Sequence, residues 1–313
     1  MDSYEEKWIK YYLGYNDPSC LIRIGPMGSG KTSAIDKFLE NYLKISSKNY
    51  MLIDVDAIIM NSIEYKKGKD ALGPNPTSRE LNNLWYSTSK IIKAYKIRDN
   101  ITLKILNKKR NYSVESTGSY FCPNKEIVWK NFTNGYRMII IFPFVTFNEL
   151  VKRVKKRAIA EGRDIDKPAL KKNYINAYNK IFNIISLPVD FFLVNNMVGP
   201  NEQPTLLAES TFHSKSDDTN CIKGKVELED IKKILDKLQA SNEDPDIKKL
   251  LKTFFEKLVK YIDPLSLPVL NLNPINSEYK LLNPGYKLNG GVNYKKKYEI
   301  YKKKYIYLKK SIN

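Results

Sequence analysis

The 313-residue chain has 42% hydrophobic residues, which is enough for a substantial core and argues against disorder throughout. One histidine and three widely spaced cysteines make a histidine- or cysteine-based metal centre unexpected. The formal charge of +19 favours phosphorylated ligands, nucleic acid or an anionic membrane, without choosing among them. No apolar run predicts a membrane span or a secretory signal, so we expect an intracellular, cytoplasmic protein.

Predicted strands and helices alternate along residues 18–212. Strands are expected at 20–24, 50–55, 137–144, 190–194 and 206–208, and one more strand is expected to end at 114–115. Helical patterns fill the intervals at 31–43, 78–95, 147–160 and 168–185. This alternation predicts an α/β fold with a P-loop NTPase-type parallel sheet and helices on both faces. Beyond residue 212, helical patterns at 226–239 and 245–262 predict a helical C-terminal extension.

The stretch GPMGSGKT at residues 25–32 follows the first predicted strand and opens the first helix. Gly25 and Gly30 allow backbone conformations that gather N–H groups around a phosphate, at a helix N-terminus that favours anions. Lys31 can reach the β- and γ-phosphates, and the Thr32 hydroxyl can bind Mg²⁺. The predicted nucleotide-binding residues of this loop are Gly25, Pro26, Met27, Gly28, Ser29, Gly30, Lys31, Thr32 and Ser33.

Carboxylates follow two other predicted strands, at the edge where ligands bind in open parallel sheets. The second strand ends LIDVDAII, so Asp54 and Asp56 share a face if the strand continues, with Asp56 nearer the opening. A kinase needs a carboxylate that accepts the proton of the attacking hydroxyl, and Asp56 is predicted as this base. The alternative is that both aspartates cap the next helix. Glu115 either holds substrate hydroxyls or a magnesium-bound water, or is incidental beside a helix cap.

Arg153 and Arg157 lie four residues apart in FNELVKRVKKRAIAEGRDID and therefore share one face of a predicted helix. Guanidinium groups match phosphate oxygens and balance the charge that develops on a transferring phosphoryl group. Both arginines are therefore predicted to be catalytic residues, together with Lys31 and Asp56. The alternative is a solvated basic face, because lysines surround both arginines.

The order of these motifs resembles the zeta-toxin-like branch of P-loop kinases. The resemblance covers residues 18–212 and rests on GPMGSGKT, LIDVDAII, YSVESTG, FNELVKRVKKRAIAEGRDI, DFFLVNN and TLLAES, in that order. The glycine loop alone occurs in many families, whereas the ordered set is considerably more specific.

The resemblance implies an ATP- or GTP-dependent kinase that uses Mg²⁺ and phosphorylates a hydroxyl of a small, nucleotide-sugar-like acceptor. It implies that Asp56 is the base, and that Asn195 or Asn196 lies near the nucleotide base. Arg163 becomes a further charge of the lid that closes over the phosphates. The substrate-binding residues that it implies are Glu115, Thr117 and Arg163.

On this basis, residues 18–212 are predicted to form the kinase domain, with a substrate-side insertion at 57–110. Residues 1–17 are expected to form a helix packed on the core, and 213–287 a helical or extended C-terminal extension. Residues 288–313 predict a basic amphipathic helix, because apolar residues recur every three or four positions among lysines.

The tail at residues 288–313 resembles the GG-x-NYK-x-KY endings of giant DNA virus proteins. This implies an add-on module that docks on a partner, an anionic surface or nucleic acid, in infected-cell cytoplasm or in the virus particle. The alternative is a loosely attached, solvated helix.

Two other functions stay open from the sequence. The first is a polynucleotide 5′-hydroxyl kinase, which would use the same loop and the same aspartate and is favoured by the net charge. The second is a nucleotide-binding adaptor without catalysis, recruited through its tail.

Overall fold

The computed structural model describes residues 18–118, 127–128, 130–161, 166–187, 189–199, 202–213 and 221–262. The predicted N-terminal helix at 1–17, the substrate residue Arg163 and the tail at 288–313 lie outside these residues. The strands are β1 Ser19–Ile24, β2 Met51–Ile53, β3 Tyr112–Ser116, β4 Arg137–Phe144, β5 Asp190–Asn195, β6 Thr205–His213 and β7 Cys221–Val226. The α-helices are α1 Lys31–Asn41, α2 Val55–Met60, α3 Ile63–Ala71, α4 Ser78–Ile91, α5 Ala94–Asn107, α6 Phe147–Glu161, α7 Lys167–Ile185, α8 Leu228–Ala240 and α9 Pro245–Ile262.

The strands form one seven-stranded sheet in the order β2-β3-β1-β4-β5-β6-β7. Pairing is parallel from β2 to β5 and antiparallel from β5 to β7. The predicted α/β fold of the P-loop NTPase type is therefore confirmed. Because β1 lies between β3 and β4, the loop that follows it opens at the middle of the sheet, beside the ends of its neighbours.

Each face of the sheet is covered by helices, which explains why the central strands are continuous apolar runs. On one face, Phe38 and Leu39 of α1 pack in a cluster with Leu21, Ile139 and Phe192. On the other face an aromatic cluster joins the sheet to α7 and α9, with edge and tilted ring contacts among Phe142, Phe144, Tyr178, Phe254 and Phe255. The sheet around the loop is therefore packed on both faces.

The sheet continues beyond the boundary predicted at residue 212. β6 is longer than the expected segment 206–208, and β7 pairs with it through partners that run from Ala208↔Val226 to His213↔Cys221. The sequence CIKGKV of β7 carries lysines on an edge strand, a common protection against edge pairing, and this weakens its apolar signal. Gly224 leaves room for Ile262 at the end of α9, so α9 packs closely on this edge.

Residues 57–110, predicted as an insertion on the substrate side, form most of the four helices α2 to α5 between β2 and β3. Ile59 of α2, Tyr65 of α3 and Ala94 of α5 are buried together, with Leu84 and Trp85 of α4 packed against them. The insertion therefore has a small apolar core of its own. None of the described helices is long and apolar enough to cross a membrane.

Candidate active site

The glycine loop connects β1 to α1 in the conformation that its glycines predict. Gly28 has φ 83° and Gly30 has φ 79°, values in the left-handed region that residues with a Cβ rarely adopt. Gly30 is the N-cap of α1 and has no side chain to bond the first N–H groups of the helix. These N–H groups, with the positive end of the helix dipole, are suited to hold an anion.

Three elements distant in sequence hold the glycine loop in place. The Met27 N–H donates to the Asn173 side-chain oxygen on α7 at 3.2 Å. The Asn196 amide, just beyond β5, donates to the Ser29 carbonyl at 2.7 Å, and this contact is buried. The Gly25 N–H donates to the carbonyl of Ser116 at 3.1 Å. The loop is therefore shaped before any ligand binds, which lowers the entropic cost of binding.

The two asparagines proposed to lie near the nucleotide base have different surroundings. Asn196 contacts the glycine loop, whereas the side-chain oxygen of Asn195 accepts from the Met197 N–H at 3.0 Å. No local pattern in the sequence indicates Asn173, whose contact with the loop spans 146 residues. Both loop contacts depend on tertiary folding, so no local pattern could have identified them.

Charged side chains from three other elements act on Lys31. Its ammonium donates to the carbonyls of Gly25 at 3.2 Å and Pro26 at 3.4 Å, within its own loop. Burial lowers the pKa of Lys31 below its ordinary value. Nearby charges act on this pKa in both directions: Glu115 raises it, Arg157 lowers it, and Asp56 and Asp54 raise it. The structure thus brings together the predicted lysine, both aspartates, the glutamate and one lid arginine.

Thr32 and Glu115 form a direct contact between α1 and β3. The exposed hydroxyl of Thr32 donates to Glu115 Oε1 at 2.8 Å. A hydroxyl that donates its proton in this way keeps lone pairs for a metal, and Mg²⁺ prefers oxygen ligands that include substrate phosphates and water. The residues therefore fit the predicted magnesium site, with Thr32 as ligand and Glu115 beside it. No cluster of three or more metal-binding side chains occurs among the described residues, and a phosphate-bound Mg²⁺ needs none.

The second predicted strand is shorter than expected. β2 ends at Ile53, and Asp54 is the N-cap of α2, with its Oδ1 accepting from the Asp56 N–H at 2.9 Å. The expected strand at 50–55 is therefore wrong at its end, because a capping aspartate starts a helix there. Burial raises the pKa of Asp54, opposed by the hydrogen bond from Asp56, while the negative charges of Asp56 and Glu115 raise it further.

Asp54 thus has the capping role that the alternative interpretation gave to both aspartates. Asp56 differs, because it lies in the first turn of α2, half-buried, with its negative charge acting on Lys31. Within the described part of the chain, the Asp56 carboxylate has neither a side-chain hydrogen bond nor an ion pair. It is the carboxylate of this group that is left available to an incoming hydroxyl.

Helix α6 lies directly on the glycine loop. A Cβ atom at Gly28 would lie 2.6 Å from Val154 Cγ2 and 3.4 Å from the Leu150 carbonyl. Arg153 is tied down on the same face: its Nε donates to Glu149 Oε1 at 2.9 Å and its guanidinium donates to the Asn196 carbonyl at 2.7 Å. Arg157, one turn further along, is exposed. The two arginines therefore differ in exposure, although their spacing places them on one face of the helix.

The start of α6 is held by the loop between α8 and α9. The Asn148 N–H donates to Glu243 Oε2 at 2.9 Å, and Glu243 is buried. Lys171 of α7 forms an ion pair with Asp244 at 2.7 Å. Residues beyond 212 thus position the helix that covers the phosphate loop. This role could not be predicted from the sequence, because the contacts join residues 95 and 73 positions apart.

The remaining predicted residues lie around this centre. Ser33 is exposed in the first turn of α1, and the buried Ser29 hydroxyl has no hydrogen-bond partner among the described residues. Thr117 is half-buried just after β3. Gly118 follows with φ 72°, where a Cβ would lie 2.8 Å from Ile24 Cγ2, so the chain turns tightly beside β1. Apart from Arg163, every predicted site residue lies in or next to the glycine loop, the strand ends or α6.

Comparisons with known proteins give only distant similarities. No protein-family model matches the chain, and no curated protein is similar to it. Among solved structures, it is similar to a chain of the Pnkp1/Rnl/Hen1 RNA repair complex, with 19% identity, a TM-score of 0.40, and coverage of 54% of this chain and 47% of that one. It therefore spans about half the length of that RNA repair chain.

Two other solved structures are matched over more of the chain. One is from the PezAT toxin–antitoxin system of Streptococcus pneumoniae, with 13% identity, a TM-score of 0.45, and coverage of 83% and 98% of the two chains. The other is the AvrRxo1-ORF1:AvrRxo1-ORF2 structure with sulphate ions, with 10% identity, a TM-score of 0.47, and coverage of 80% and 79%. At these identities and TM-scores the similarities have no bearing on activity.

Proposed function

We propose that the protein is an ATP- or GTP-dependent phosphotransferase that acts on a hydroxyl of a small, nucleotide-sugar-like acceptor. The observation that carries the proposal is the group of charges around Lys31. Asp56, Glu115 and Arg157 all act on this lysine, which lies in a preformed phosphate loop at the carboxyl ends of the strands. A loop that only sensed phosphate would not need a free carboxylate at that position.

The loop N–H groups and Lys31 would hold the β- and γ-phosphates. When the nucleotide binds, Lys31 would give up its two long hydrogen bonds to loop carbonyls. It would instead donate to charged phosphate oxygens, which are stronger acceptors. Thr32, with Glu115 beside it, would hold Mg²⁺, which when bound neutralises part of the phosphate charge. The Ser29 hydroxyl, buried and without a described partner, would add a further donor.

In the transfer step, the acceptor hydroxyl oxygen attacks the γ-phosphorus. A new phosphorus–oxygen bond forms, the bond to the β–γ bridging oxygen breaks, and ADP or GDP leaves with that electron pair. The hydroxyl proton passes to Asp56, the one carboxylate of the group without a described hydrogen-bond partner. Arg157 is exposed near Lys31 and would balance the charge that develops on the phosphoryl group.

The test is a pair of isosteric variants assayed with γ-labelled nucleotide, Mg²⁺ and a panel of acceptors. Asp56→Asn should lower transfer by about a hundredfold or more, the usual contribution of a general base, with nucleotide affinity near normal. Asp54→Asn is the matched control, because asparagine is an equally good N-cap and removes one neighbouring charge. It should transfer at close to the wild-type rate. Unchanged turnover in Asp56→Asn would exclude the proposed base.

A second candidate, polynucleotide 5′-hydroxyl kinase, is favoured by the positive charge of the insertion that contains α2 to α5. Residues 55–110 contain twelve lysines and arginines and five aspartates and glutamates, which gives this segment a net charge of +7. The same assay separates the two candidates when UDP-amino sugars are compared with 5′-hydroxyl oligonucleotides. Tight ATP binding without transfer to any acceptor would instead support the non-catalytic adaptor.

A further inference from the structure

A groove on the helical insertion has a composition that the phosphotransferase site does not explain. It lies where α4 ends and α5 begins, and its volume is about 360 Å³. Three aromatic and three basic side chains line most of it: Trp85, Tyr86, Tyr95, Lys90, Lys93 and Lys96. We call this surface the aromatic–lysine groove.

Two of the three aromatic side chains of the groove are open to solvent. Tyr86 is 64% exposed and Tyr95 is 52% exposed, and Ile91 between them is 67% exposed. Single exposed apolar residues are ordinary, but a contiguous patch with a concave shape commonly marks a binding surface. Trp85 is half-buried beside them and packs on the insertion core, so it forms a fixed wall of the groove.

The charge of the groove has one sign. No aspartate or glutamate lines it, and within the described residues none of Lys90, Lys93 and Lys96 forms an ion pair. Lys93 lies at the turn between the helices with φ 54°, a left-handed conformation for which glycine would be the ordinary choice. The groove therefore gathers three cations that nothing in the described fold neutralises, and an anionic ligand would do so.

We propose that the aromatic–lysine groove binds single-stranded nucleic acid. Unpaired bases would stack on the exposed ring of Tyr86 and on the face of the Tyr95 ring opposite Arg98, whose guanidinium carbon lies 5.2 Å from the ring centroid. The lysines would contact backbone phosphates. This combination of flat rings and cations along a concave surface is how proteins bind single strands without reading sequence. A duplex hides its bases, and a membrane surface favours a convex or flat amphipathic face, so both fit the groove less well. The proposal does not depend on the phosphotransferase assignment.

The first test measures binding of a fluorescent single-stranded oligonucleotide to the full chain by anisotropy, without nucleotide or Mg²⁺. The double variant Tyr86→Leu/Tyr95→Leu keeps apolar area but removes both rings, and should weaken binding about tenfold or more. Tyr86→Phe/Tyr95→Phe keeps the rings and should bind within about twofold of wild type. Both positions are exposed, so neither variant should disturb folding.

The second test is the salt dependence of the same binding. Lys90→Gln/Lys96→Gln should reduce the slope of log affinity against log salt by about 1.4, since each single-strand phosphate contact contributes about 0.7. Lys232→Gln/Lys237→Gln removes the same charge from exposed positions on α8 and should leave the slope nearly unchanged. Equal loss in the two lysine variants would mean that general charge, not this groove, attracts nucleic acid.

Three further outcomes would overturn the proposal. These are wild-type affinity in the leucine variant, tighter binding of anionic phosphatidylserine vesicles than of the single strand, and competition by a mononucleotide as effective as by an oligonucleotide. Because the assay contains neither nucleotide nor Mg²⁺, its result is independent of whether Asp56→Asn abolishes phosphoryl transfer. Loss of transfer with retained strand binding, or the reverse, would separate the two proposals.

Discussion

Replacing Gly28 with alanine tests whether α6 rests on the phosphate loop. Gly28 has φ 83°, and an added Cβ would lie 2.6 Å from Val154 Cγ2, well inside the 3.4 Å at which ordinary contact begins. Val154 is itself buried, so it cannot rotate away freely. The substitution should therefore force α6 outward and disturb the contact between Arg153 and the Asn196 carbonyl.

The magnitude separates into two parts. An L-residue in the left-handed region costs about 1–2 kcal/mol, and the overpacking of a buried contact adds about 1–3 kcal/mol. Gly73 isolates the first part, because its φ is 81° and a Cβ there would have nothing within 4 Å. We therefore expect Gly73→Ala to lower the free energy of unfolding by about 1–2 kcal/mol and Gly28→Ala by about 2–5 kcal/mol.

The assay is urea denaturation of four variants: Gly28→Ala, Val154→Ala, their combination, and Gly73→Ala. Truncating Val154 removes the methyl group that the new Cβ would strike. In that background the penalty of Gly28→Ala should fall to the level of Gly73→Ala, a coupling of about 1–3 kcal/mol. Equal penalties for the two glycine variants, or the absence of coupling with Val154, would show that α6 does not lie on the loop.

Two further predictions concern the loop itself. Lys31→Met should abolish triphosphate binding. Burial lowers the pKa of Lys31, so between this pKa and the ordinary lysine value the unfolded chain binds more protons than the folded chain. As pH rises through that window, the wild type should therefore gain unfolding free energy relative to Lys31→Met in denaturation measurements. Asn196→Ala should cost about 1–3 kcal/mol in unfolding free energy, because the buried Ser29 carbonyl loses its donor, and should weaken ATP binding in calorimetry.

The parts of the site that could be predicted from sequence are those that local chain geometry determines. A strand, a glycine loop and a helix follow one another within residues 19–41, so the spacing of the motif fixes the placement of Lys31 and Thr32. The capping role of Asp54 was a local signal as well. The apolar run before it favoured a longer strand, whereas the hydrogen bond from the Asp56 N–H begins a helix.

Other parts depended on contacts that no local pattern carries. The asparagines that hold the loop reach it across 146 and 167 residues. The expected helix at 78–95 runs past the end of α4 at Ile91 into the start of α5, because the left-handed Lys93 separates the two helices without a glycine or proline to mark the turn. The aromatic–lysine groove exists only because of that turn, so it could not be predicted from the sequence.

The surroundings of the two lid arginines divide their roles. Arg153 already donates to Glu149 and to the Asn196 carbonyl, and Asn196 in turn donates to the loop at Ser29. These contacts hold Arg153 beside the loop, where its Nη1 would lie 3.6 Å from a Cβ at Gly30, so we expect it to position the loop in addition to its predicted catalytic role. Arg157 is exposed, and its positive charge acts on Lys31, so it is the lid arginine that we expect to balance charge on the phosphoryl group. Two arginines four residues apart on one helix thus differ in exposure, and we expect them to differ in role.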